Sequence, residues 1–242
     1  MKLFILLMVS VFFATPVAAE TTKDKLLRGY LGMTPGQYIA QPIDYGEVIW
    51  QALTCRNKIK NVNRETLWGL TLVEQKFNVP ASHTGMLLAS ACYESGFNPF
   101  AKGDYRKGKP RAIGMFQLWP WWEKFYNIER TNALASAEAY LTHITRQIPK
   151  VKKTCKARSD RRVWRAAWVH AIRYPKAGGR CAEKTKHETL LRKWHRKIIT
   201  GRKNYVEKVE DCLDLLLEKG TLENATSDEQ ETIFYDNCGD GC

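Results

Sequence analysis

The sequence predicts a mainly α-helical (α+β) protein with one small β element. Two observations carry that reading. Apolar residues recur at helical spacing through most of the 242 residues, and one stretch rich in Gly, Pro and charge, SGFNPFAKGDYRKGKPR at Ser95–Arg111, interrupts them. Gly and Pro together make 25 residues, which excludes collagenous and low-complexity chains, and 44% hydrophobic with 26% charged residues excludes wholesale disorder.

In chain order, residues 20–63 form an extension punctuated by Pro35, Gly36 and Pro42, with a helical pattern over Tyr45–Lys58 carried by Val48, Ile49, Ala52 and Leu53. A helix follows over Arg64–Phe77, with Asn63 as its N-cap. Pro80-Ala81-Ser82 opens the next, running to about Tyr93. Its Leu87, Ala91 and Glu94 stand at i, i+4 and i+7, so a carboxyl continues an apolar face. Lys107-Gly108 marks a turn within the interrupting loop or hairpin. Leu134, Ala137, Leu141, Ile144 and Ile148 make a stripe over Asn132–Ile148, and Trp164, Ala167, Trp168 and Ala171 one over Arg162–Ile172. Lys186–Lys219 predicts a long C-terminal helix, broken at Gly201. The organisation expected is a leader at 1–19, an N-terminal helical extension at 20–63, a main domain at 64–220 and an acidic tail at 221–242.

The leader reads MKLFILLMVSVFFATPVAA: Lys2, an apolar stretch from Leu3 to Ala14, then Val17-Ala18-Ala19. That is the pattern of a secretory signal, and the apolar stretch is too short for the roughly 20 residues of a spanning helix. The expected product is exported, periplasmic or extracellular, without stable membrane insertion. Export turns the seven cysteines, Cys55, Cys92, Cys155, Cys181, Cys212, Cys238 and Cys242, into disulfide candidates. Seven is odd, so at least one is free or paired to another molecule; Cys92, within an apolar helical stretch, is the candidate buried thiol, and Cys238 with Cys242 is spaced for a tail loop. No close cysteine pair has a close His in the sequence, so no metal and no cofactor is expected.

The formal charge is +13. Loss of Lys2 leaves +12, and six acids without a Lys or Arg in Thr221–Cys242 leave +18 on the body before them. An exported body this basic meets cell-wall polymers and lipid head groups before nucleic acid, for which no binding motif is present. The tail reads as a solvated, disordered end unless its two cysteines staple it.

Glu94 closes an apolar helix just ahead of a Gly/Pro loop. Partial withdrawal from water favours the neutral, proton-carrying form of a carboxyl, the state a general acid needs. Asp104, ten positions on, is a candidate second carboxylate. Lys102, Arg106, Lys107, Lys109 and Arg111 crowd the same loop, where they either bind carboxylates or coat a solvated tip. Trp119, Trp121 and Trp122 offer indole faces on which sugars stack, though a helix cannot turn all three the same way.

Phe77-Asn78-Val79-Pro80, then Glu94-Ser95-Gly96-Phe97-Asn98-Pro99, then Gly114-Met115-Phe116-Gln117-Leu118, resemble the soluble lytic murein transglycosylase family of the lysozyme superfamily, and Ala133–Ile144 resembles the helix that follows there. The likeness covers about Thr71 to Tyr174. It implies a lysozyme-like fold and a peptidoglycan substrate, with Glu94 as sole acid/base. It further implies Gln117 bonding the glycan, Met115 and Phe116 lining the groove or packing in the core, Trp119 in the groove, and Ser95 orienting substrate or the Glu94 loop. The family's third motif, Ala-Tyr-Asn-Ala-Gly, has a Tyr hydroxyl that supports the Glu. Ala167-Trp168-Val169-His170-Ala171 stands there instead, which leaves that contact to His170 or Tyr174. Two other outcomes stay open: a hydrolase in which Asp104 activates water, and an inactive peptidoglycan-binding module.

Overall fold

In the computed structural model, which describes residues 20–55, 64–172, 181–222 and 225–238, helices dominate and a two-stranded antiparallel sheet is the β element. The leader, Asn63, Tyr174 and Cys242 lie outside the described residues. The chain divides into two units: Ile39–Asn204, and the two terminal portions, up to Tyr38 and from Tyr205. The helix at Tyr45–Ala52 belongs to the larger unit because Val48 and Ala52 are wholly buried in its core.

The smaller unit contains α1 (Thr22–Leu31) and α2 (Pro35–Ala40), whose last two residues belong to the larger unit. It also holds the end of α10 (Lys186–Glu218) and α11 (Ser227–Cys238). Thr21 and Asp24 form a reciprocal capping box that satisfies the first amides of α1. Leu27 packs with Val209, Leu213, Leu216, Leu222 and Phe234, and a Cys212–Cys238 disulfide closes the group. The disordered-tail expectation is therefore corrected over Ser227–Cys238: Phe234 and Cys238 are buried, so this helix has an apolar side to lose by unfolding. Cys238 pairs with Cys212, not Cys242.

The larger unit is built from α3 (Tyr45–Ala52), α4 (Arg64–Lys76), α5 (Met86–Ser95), α6 (Pro120–Tyr126), α7 (Ala133–Thr145), α8 (Ile148–Thr154), α9 (Asp160–Ile172) and the start of α10. Asp44 and Glu47 cap α3 reciprocally, and Glu47 also holds the Arg202 guanidinium at 2.6 and 2.8 Å. The predicted helix from Pro80 begins later: Ala81–His83 is a 3-10 turn, and Gly85, at φ +85°, reverses the chain into α5. A Cβ at Gly85 would come within 2.1 Å of Val48 Cγ1, so two conditions require glycine there.

From Met86 to Cys92 every residue of α5 is buried, which makes this helix the axis of the core. The expected break at Gly201 does not occur; α10 runs through it, because one glycine costs an otherwise continuous helix only about 1 kcal/mol. Strands β1 (Lys102–Arg106) and β2 (Lys109–Ile113) pair in register Arg106↔Lys109, joined by Lys107 and Gly108, both at positive φ. That is the backbone a two-residue hairpin turn needs.

Among the described residues three disulfides are present: Cys55–Cys92, Cys155–Cys181 and Cys212–Cys238. Cys92 is thus no free thiol. Three such bridges fit a secreted protein, and no described helix is long and apolar enough to cross a membrane.

Candidate active site

Glu94 sits in the last turn of α5, where the helix leaves the core and Gly96 turns the chain at φ +65°. Its side chain is 28% exposed. One carboxylate oxygen, Oε1, lies 2.6 Å from Nε2 of His187 in the first turn of α10. His187 is buried, its Nδ1 has no hydrogen-bond partner, and its ring meets Tyr93 edge-on with centroids 5.5 Å apart. The Lys186 ammonium lies 5.5 Å from the Tyr93 ring centroid.

A second neighbour is Tyr140 on α7. Burial first, and the Glu94 charge second, push its hydroxyl well above the usual phenol range. Trp168 stands edge-on to Tyr140 at 5.9 Å, and Phe116 stacks on it at 5.1 Å. Neither His187 nor Tyr140 was singled out in the sequence. A signal for His187 existed: it precedes Leu191, Trp194 and Ile198 at i, i+4, i+7 and i+11, so it opens the buried stripe of α10 just as Glu94 closes that of α5.

The predicted residues divide. Met115 and Phe116 are core side chains, 0% and 3% exposed, so groove lining is corrected to packing for both. Trp168 is also fully buried. Ser95 donates to Ala91 O and accepts the Asn98 amide at 3.1 Å, fixing the turn after α5. Gln117, at φ +50°, donates through Nε2 to Ala101 O and Gly114 O, which ties the base of the hairpin. Asp104 accepts the Trp119 indole N–H at 3.0 Å on the exposed side of the hairpin, and the Arg111 guanidinium lies 4.8 Å from the Trp119 ring centroid.

His170 is placed elsewhere than expected. Its ligand atom lies within 4.8 Å of the sulfurs of Cys155 and Cys181, and its Nε2 is buried without a partner. Burial, then the Lys150 charge, lower its proton affinity. Among the described residues the side chain that meets the Glu94 carboxyl is His187, not His170; Tyr174, the other candidate, lies outside them. The Cys155–His170–Cys181 convergence was hidden by sequence distance, but the two sulfurs are bonded to each other and offer no thiolate to a metal.

Behind the site lies Glu74, wholly buried on α4. It accepts the Gly85 amide at 2.8 Å and that of Leu87, and burial raises its pKa to about 7. Arg130 bonds Arg111 O and Leu118 O at 2.9 Å each, joining the hairpin to the segment ahead of α7. A cavity of about 490 Å³ opens between α3 and α4, lined by Trp50, Leu53, Arg64 and Trp68 among others; Glu94 is not in its wall.

No model of a known protein family matches the chain, no curated protein matches it, and no solved structure matches it.

Proposed function

We propose that this protein is an exported peptidoglycan lytic transglycosylase with a lysozyme-like helical domain, in which Glu94 is the single acid/base. The observation that carries the reading is the setting of Glu94: a partly exposed carboxyl at the end of a buried helix, one oxygen held by His187 and, among the described residues, no second carboxylate bonded to it. The motif resemblance through Glu94-Ser95 and Gly114–Leu118 supplies the substrate class.

In the proposed reaction Glu94 protonates the glycosidic oxygen between N-acetylmuramic acid and N-acetylglucosamine, and the bond from that oxygen to the muramyl C1 breaks. The Glu94 carboxylate then takes the proton of the muramyl 6-hydroxyl as its oxygen bonds to C1, closing a 1,6-anhydro ring. Water has no part in this, so the second carboxylate that an inverting glycosidase uses to activate it is not required. The commitment of Asp104 to Trp119 agrees with one carboxyl acting alone. Trp119, 42% exposed, offers an indole surface to a sugar face.

Incubation of the protein with purified sacculi, followed by mass analysis of the soluble products, tests this. Anhydro-muramyl ends are expected. Reducing ends would mean a lysozyme-type hydrolase, and tight binding without soluble product an inactive wall-binding module.

A further inference from the structure

We propose that His187 is a positioning residue for Glu94: its Nε2–H holds Oε1 and so leaves Oε2 as the oxygen that carries the transferable proton. This rests on Glu94 being the acid/base of the reaction above.

The argument is one of donors and acceptors in a buried place. His187 Nε2 is 2.6 Å from Glu94 Oε1, the His187 side chain is 3% exposed, and Nδ1 has no partner. A neutral imidazole has one N–H. On Nδ1 it would be a buried donor facing no acceptor, which is rare in folded proteins. On Nε2 it is spent on the carboxyl, and only a lone pair is left bare.

The tautomer set by these surroundings therefore donates to Oε1. A proton arriving at the carboxyl must then sit on Oε2, the oxygen that no bond from the described residues ties down. When Oε2 gives that proton to the glycosidic oxygen, the bond from Nε2 becomes charge-assisted and strengthens. It thus favours the state that forms along the reaction over the starting one. Oε2 recovers a proton from the muramyl 6-hydroxyl, and the imidazole ends as it began.

Two variants and one spectrum test this on the full disulfide-bonded chain. His187→Gln keeps an N–H donor, while His187→Leu removes it. With soluble glycan strands, the Leu variant is expected to lose roughly 10- to 100-fold in kcat with KM little changed, the span expected for one hydrogen bond to a charged group. The Gln variant should recover most of that loss. Equal losses in both variants at wild-type melting temperature would overturn the proposal.

Because leucine at a buried place can unfold the chain, the imidazole ¹⁵N resonances of the wild-type protein give an independent readout. Protonated Nε2 with bare Nδ1 is expected; protonated Nδ1 would overturn the proposal. If wild-type protein releases nothing from sacculi, the transglycosylase reading fails, yet the ¹⁵N spectrum still decides whether His187 donates to Glu94.

Discussion

Glu74 accepts the backbone N–H of Gly85 at 2.8 Å, so a carboxyl on α4 closes the start of the helix whose last turn carries Glu94. Unpaired amides at a helix N-terminus attract negative charge, whereas full burial penalises it. Burial is the larger effect here, and the pKa of Glu74 stands at about 7.

That balance predicts a pH dependence of stability. The folded value of about 7 lies above the ordinary 4.5, so between them the folded protein keeps a proton that the unfolded chain releases. The contribution is complete below 4.5 and is lost as pH rises through 7. Melting temperature should therefore fall between pH 5 and pH 8 by more in wild type than in Glu74→Gln. Parallel curves for the two proteins would contradict this.

Two glycines near the hairpin separate stability from function. A Cβ at Gly114, already at φ +86°, would stand 2.0 Å from the backbone oxygen of Arg130, so Gly114→Ala should cost at least about 2 kcal/mol. A Cβ at Gly103 would clash with the movable Gln117 Oε1, at 2.3 Å, and make an ordinary contact with Ala112 Cβ at 3.8 Å. Gly103→Ala should displace that side chain and lower muropeptide release with a much smaller change in denaturant midpoint.

Tyr140 is buried, and its hydroxyl feels the Glu94 charge. Tyr140→Phe keeps the ring that stacks on Phe116 and removes only the oxygen. Stability should change by no more than about 1.5 kcal/mol, while sacculus digestion slows. Unchanged digestion would remove Tyr140 from the site.

The Cys55–Cys92 bridge ends two residues before Glu94, whereas Cys212–Cys238 belongs to the other unit. Replacing either pair by Ala should cost about 2–4 kcal/mol. Only loss of the first should also depress digestion below the melting transition, as comparison of the two double variants would reveal.

Much of the helical plan was legible because burial imposes a 3.6-residue period. The stripes of α7, α9 and α10 gave their positions, Lys107-Gly108 gave the hairpin turn, and Leu87-Ala91-Glu94 placed a carboxyl at the mouth of the core. Distance along the chain hid the rest. His187 stands 93 positions from its partner, inside the basic run Lys184–Arg196, where a histidine resembles one more surface charge. Cysteine pairing has no local pattern, so Cys92 could pass for a thiol until Cys55 was placed against it. His170 followed from the motif alignment, yet its helix turns it towards the Cys155–Cys181 bridge. Met115 and Phe116 sit in a motif whose chemistry suggested a groove, but Tyr140 and the α5 core claim their side chains.

The most direct measurement is mass analysis of glycan ends released from purified sacculi by wild-type protein and by Glu94→Gln side by side. Ring-closed muramyl termini from the wild type, with release by the variant reduced to the level of a no-protein control, are predicted. Undiminished release by Glu94→Gln would contradict the account.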